Sequence, residues 1–428
     1  MLEKKYKLEC EGCGALRDDD GLTLHCEGQH EPALLVTKYA RTEFRPSEAS
    51  EGIYRYKEWL PVLRELEGSG RTITYQSERL SQILGLPNLW IAFNGYWPEK
   101  GANLGTTSFK DLEAYTVLAR IPADNRPILV VSSAGNTAAA FARACSINRI
   151  RCLIIVPESG LQAMQFAVPL SQCVRIVSLV GFSDYYDAVM LGERVSRLDS
   201  FFAEGGVRNV GRRDGLGTAL LSAVEVVGRL PDYYFQAVGS GSGGIAAFNT
   251  AQKLIGDGRF GSKMPKLMLS QNLPFVPLFL SWKSKGRQLV EINPVVGKSQ
   301  IRQIAAHVLS NRNPPYSIKG GVFDVLNESN GEMLVADNSE TLCASRLFEG
   351  VEGIDIDPAG AVAFATLIKA AKDDLIDHNG FVLLNITGGG CQRQGMDHRL
   401  VSARPDLQIP QEETADNRTF DRIEKLFM

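Results

Sequence analysis

From about residue 88 onward the apolar positions of this chain follow two alternating rhythms. Short runs rich in Val, Ile and Leu, such as PILVVSSAG (127–135), RCLIIVPES (151–159) and CVRIVSLVG (173–181), predict buried strands. Between them lie stretches of helical period, NTAAAFARACS (136–146) and SDYYDAVMLGERVSRL (183–198). The series resumes with DYYFQAVGSGSGG (232–244), a strand running into a glycine loop, then the helical IAAFNTAQKLI and the strand PKLMLSQ. GEMLVADN, the helical SETLCASRLFEG and AGAVAFATLIKAAKDD, and the strand FVLLNITGGG (381–390) complete it. Continuous apolar strands alternating with helices imply an α/β class with parallel sheets covered on both faces. GIYRYKEWLPVLREL (52–66) reads as a helical linker, and the charged tail after Ala403 as a surface-wrapping or mobile segment.

Composition narrows the function classes. The balance of 46 basic and 49 acidic residues lacks the excess of a dedicated nucleic-acid or membrane-surface binder. No apolar run reaches the roughly 18 residues of a membrane span, and the first residues lack a signal-like segment, so the cytoplasm is expected. Most of the cysteines are scattered in apolar contexts, which suits a reducing compartment. Three cluster in residues 7–36, where a CxxC pair is followed by an acidic turn and HCEGQH. Two short hairpins would bring Cys10, Cys13, Cys26 and His30 into a tetrahedral structural zinc site. His25 competes for the fourth place, and an eroded ribbon without metal is the plain alternative.

Candidate chemistry gathers where strands run into loops, since open α/β sheets bind ligands beyond the carboxyl ends of their strands. GSGSGG (239–244) offers backbone N–H groups and a helix N-terminus to a phosphate, but lacks the lysine and hydroxyl of a nucleotide-hydrolysing loop. SSAGNT (132–137) can grip a carboxylate or simply cap its helix. Thr387 projects from the end of FVLLNI into a glycine run. Within GTTSFKDLEAY (105–115), Ser108 and Asp111 suggest a capping box that places Lys110 in a first helical turn. There the helix dipole lowers an ammonium's pKa, as an amine that condenses with a carbonyl requires, although a solvated lysine also fits.

Taken together, TSFKD, SSAGNT, GSGSGG and NITGGG, in this order and spacing, resemble the fold-type II pyridoxal-phosphate enzymes. The chain is most similar to threonine synthase and its relatives, among them the archaeal cysteate synthases of coenzyme M biosynthesis. The resemblance spans nearly the whole chain and implies two open, mostly parallel twisted sheets behind a zinc-ribbon-like segment. Residues 1–38 would form that segment. Residues 39–130 and 205–428 would form a large cofactor domain, and 131–204 a smaller mobile domain. By the same likeness Lys110 would hold pyridoxal 5'-phosphate covalently and Asn136 would bond its ring hydroxyl. Ser240, Gly241, Ser242, Gly243 and Gly244 would cradle its phosphate, with Thr387 facing its ring nitrogen. Ser132, Ser133, Ala134, Gly135 and Thr137 would bind a substrate carboxylate. Arg212 and Arg213, beside Arg208, are candidates for the anionic substrates, surface arginines being the usual alternative. The implied reaction joins O-phosphoserine and sulfite in a homo-oligomeric enzyme. Leu112 and Glu113 depart from the arginine and glycine that threonine synthases usually carry there, and GANLGTT lacks their asparagine–proline pair. Threonine synthase proper, a zinc-dependent binding module and a catalytically silent relative stay open as alternatives.

Overall fold

The computed structural model describes residues 5–123 and 127–428. Two sheets form its body. The larger runs Glu332–Ala336, Lys266–Asn272, Tyr233–Ala237, Val382–Ile386, Leu89–Phe93, Ile73–Gln76 in spatial order, parallel except for the last pair. The smaller runs Phe201–Ala203, Ile128–Ser132, Cys152–Pro157, Val174–Val180, Leu407–Pro410, all parallel. Central strands such as Cys152–Pro157 and Val382–Ile386 are buried along their whole length, because helices cover both faces. Asn385 faces inward from such a strand, and its amide donates to Tyr234 and Gln236 while accepting from Asn94. That buried polar chain is thus satisfied beneath the strand's end.

Three departures from the sequence reading have local causes. Gly52–Trp59 is a 3-10 helix that stops before Pro61, whose ring and missing N–H forbid the longer helix expected over 52–66. The tail is tied down: Leu407–Pro410 adds an edge strand to the smaller sheet, and the helix Asn417–Glu424 follows it. The 205–428 division therefore ends in the other sheet, and the strand Ile128–Ser132 straddles the boundary at 130.

The N-terminal segment is a three-stranded antiparallel sheet of Leu16–Arg17, Tyr6–Cys10 and Leu35–Tyr39. It is anchored to the body by a buried ion pair, Asp19 with Arg120 at 2.6 Å. Arg120 ends the helix Lys110–Arg120, so the segment grips the far end of the element that begins at Lys110. No helix of the described residues is long and apolar enough to cross a membrane.

Candidate active site

One cavity lies beyond the carboxyl ends of strands from both sheets, lined by Lys110, Ser133–Thr137, Arg212, Gly239–Gly243, Asp357 and Thr387. The loop before Lys110 is stitched to the end of the strand Val382–Ile386. Phe109 N–H donates to the Thr387 carbonyl at 2.9 Å, Gly389 N–H donates to the Thr107 carbonyl at 2.9 Å, and Ser108 bridges Gly388. These bonds fix the lysine and the threonine in one register. The expected capping box does not form. Asp111 turns back to accept from Thr106 N–H and Oγ1, while Ser108 Oγ accepts from Lys110 N–H. The Lys110 pKa is lowered chiefly by burial, with the Arg212 charge acting the same way and Glu113 opposing.

Glu113, wholly buried one turn on, is the hub. Its Oε2 accepts from Lys110 Nζ at 3.1 Å, and its Oε1 takes Thr137 Oγ1 at 2.8 Å and Arg212 Nη1 at 2.9 Å. Asn209 starts the helix Val210–Val227 by accepting from Gly211 N–H, which puts Arg212 in its first turn. That helix crosses Lys110–Arg120 closely because Gly215 has no side chain: a Cβ there would lie 2.4 Å from the Leu112 carbonyl oxygen. Arg212 also pairs with Glu204, Nε to Oε1 at 2.9 Å. Two carboxylates hold its pKa above the ordinary arginine range despite burial.

The glycine loop opens the helix Ser242–Asp257. Gly241 has φ 82°, and a Cβ there would meet Val322 Cγ2 at 2.2 Å; a Cβ at Gly243 would meet the Gln236 amide at 2.1 Å. The bare backbone at the start of a 16-residue helix is a cradle suited to a phosphate. A cradle of this kind, a partly buried lysine and a hydroxyl at Thr387 in one cavity fit pyridoxal phosphate.

The structure brings most sequence-predicted residues together, with exceptions. Ser132 lies behind the cavity, its Oγ where a Cβ on Gly192 would fall, at 2.1 Å. Gly244 packs on Leu269 rather than lining the cavity. Arg213 turns to the N-terminal sheet and donates to the Leu35 carbonyl, its pKa lowered to about 10 by burial. Arg208 is exposed on a neighbouring cleft.

Asp357 and Tyr185 also line the cavity, neither having been singled out as a site residue from the sequence. Asp357 caps the helix Pro358–Lys372 through Gly360 N–H at 2.6 Å. Burial pushes its carboxyl from 3.8 up to about 7, with Asp355 adding repulsion. A carboxyl so raised stays protonated in the folded chain where the unfolded chain has already ionised. Its contribution to stability is therefore intact below pH 3.8 and declines as pH climbs toward about 7. Asp357→Asn should stabilise the cofactor-free protein above pH 7 by on the order of 2 kcal/mol, discounted for solvent reaching the carboxyl through the cavity. The gap should close near pH 3, as read from denaturant unfolding at each pH.

At the N-terminus, the ligand atoms of Cys10, Cys13, Cys26 and His30 all lie within 4.8 Å of one another. Cys13 Sγ to Cys26 Sγ is 3.8 Å and Cys10 Sγ to His30 Nε2 is 3.4 Å, close to the edges of a zinc tetrahedron. His30 Nδ1 donates to the Glu31 carbonyl at 2.7 Å, which leaves Nε2 available as a metal ligand. Among the described residues the cluster takes His30, not His25. The protein should carry about one zinc per chain by elemental analysis, and Cys26→Ser should lose it together with part of its thermal stability.

Comparison with known proteins gives the family and the fold. A family model described as pyridoxal-phosphate dependent enzyme matches residues 66–388. A cysteate synthase of Methanoculleus marisnigri is 43% identical, with 95% of this chain and 94% of that protein covered. One of Methanosphaerula palustris is 44% identical over the same shares. Among solved structures, maize serine racemase superposes with a TM-score of 0.57 at 14% identity, covering 76% of this chain and 91% of its own. That likeness shows the fold.

Proposed function

This chain belongs to the pyridoxal-phosphate-dependent enzyme family, and we propose that it is a cysteate synthase, exchanging the phosphate of O-phospho-L-serine for sulfite to give L-cysteate. The observation that carries this reading is identity above 40% to cysteate synthases over nearly the full length of both chains. A place in coenzyme M biosynthesis belongs to the same proposal.

When bound, pyridoxal phosphate supplies an electron-withdrawing ring that eases loss of an α-proton and departure of a β-substituent. Lys110 would join it covalently and, once displaced by the substrate amine, hold the proton taken from the α-carbon. The backbone of Ser240–Gly243 would bind the cofactor's phosphate at the helix N-terminus. Asn136 would orient the ring through its hydroxyl. Thr387 would offer the ring nitrogen a neutral hydroxyl, a partner that would not protonate it and would favour prompt loss of the leaving group. The loop Ser133–Thr137 would hold the substrate carboxylate, the Thr137 hydroxyl itself being taken by Glu113.

The test is product analysis. Protein loaded with cofactor should release phosphate from O-phosphoserine and form cysteate only when sulfite is present. Threonine formed from O-phosphohomoserine and water would transfer the assignment to threonine synthase.

A further inference from the structure

The cavity's lysine and its arginine are joined through a carboxylate that does not itself line the cavity. Glu113 has no free oxygen: Oε2 serves Lys110, and Oε1 serves both Thr137 and Arg212. The Lys110 amine also lies 4.7 Å from the Phe109 ring, on the side that favours its charged form. We propose that Glu113 is a positioning residue that aims the Lys110 amine and sets whether it carries a proton, with Arg212 as the competing cation on the same carboxylate.

The charges facing this amine come from several elements. Its own helix supplies Glu113, while Asp111 faces away toward Thr106. The helix Val210–Val227 supplies Arg212, and the segment before it Glu204. Tyr185, at the start of the helix Tyr185–Val195, and Asp357 line the same cavity. Burial is the largest influence on the amine, and of the charges two opposed ones lead: the Glu113 carboxylate favours the ammonium, and the Arg212 guanidinium disfavours it. Thr137 couples them to the loop expected to hold the substrate carboxylate, since its hydroxyl is spent on Glu113. A proton collected on Lys110 Nζ would remain there as an ion pair with Glu113, and no transfer to the carboxylate is required. The catalytic consequence rests on the function proposed above; the placement of charge does not.

Competitive acetylation of the full chain freed of cofactor, followed at the Lys110 peptide by mass spectrometry, gives the amine's titration midpoint. Glu113→Gln keeps an oxygen for Thr137 but removes the charge, and should move the midpoint down by about one pH unit or more. Glu113→Asp, which keeps the charge, should restore most of the shift. The pair R212Q/E204Q removes the competing cation without stranding its second carboxylate, and should move the midpoint up. A purely structural role for Glu113 predicts no opposed signs. An unchanged midpoint in folded Glu113→Gln, or a downward shift in R212Q/E204Q, overturns the proposal. If one variant does not fold, the sign given by the other decides. Because no turnover is measured, failure here leaves the cysteate assay untouched, and failure there leaves this one readable.

Discussion

Lys110→Ala is expected to lower cysteate formation by roughly 10,000-fold or more, because one amine both anchors the cofactor and moves the substrate proton. The fold should survive. Glu113 keeps Arg212 and Thr137 when Lys110 is cut back, so no carboxylate is stranded. The melting temperature should stay near that of the native chain, and the purified variant should be colourless. A variant that kept activity within about tenfold of the native enzyme would remove Lys110 from the chemistry.

Arg212→Ala is expected to act on stability first. Its removal leaves Glu113 and Glu204, both buried, without their shared cation. Breaking a buried pair in this way costs about 3–5 kcal/mol, more than a cavity-lining arginine that served substrate alone would cost. Denaturant unfolding of the cofactor-free protein reads the loss directly. The double variant R212L/E204L should recover part of it, since apolar residues replace a charge pair at little net cost. Native-like stability in Arg212→Ala would show that the two acids find other partners.

Much of this was legible from residue order. Strand and helix alternated clearly because buried strands must be apolar on both faces, and the glycine loop stood out because backbone approach at 241 and 243 tolerates no side chain. The hub was not legible. Glu113 stood out in the sequence only as a departure from the threonine synthase pattern, and only its partners from the helix Val210–Val227 and the loop at Thr137 explain a wholly buried carboxylate. Arg212 and Arg213, adjacent in sequence, leave one buried helix about 100° apart and reach different partners, Glu113 and the Leu35 carbonyl. The strand Leu407–Pro410 was missed because a short segment ending in proline signals an edge at best, and its partner lies far back in the chain at Val174–Val180.

Reduction of the cofactor-loaded protein with borohydride, then peptide mass spectrometry, tests the account at its centre. The added mass of a reduced pyridoxyl phosphate is expected on the peptide carrying Lys110, and should be absent when that lysine is replaced. Label on another lysine, or none on a protein that still makes cysteate, would contradict it.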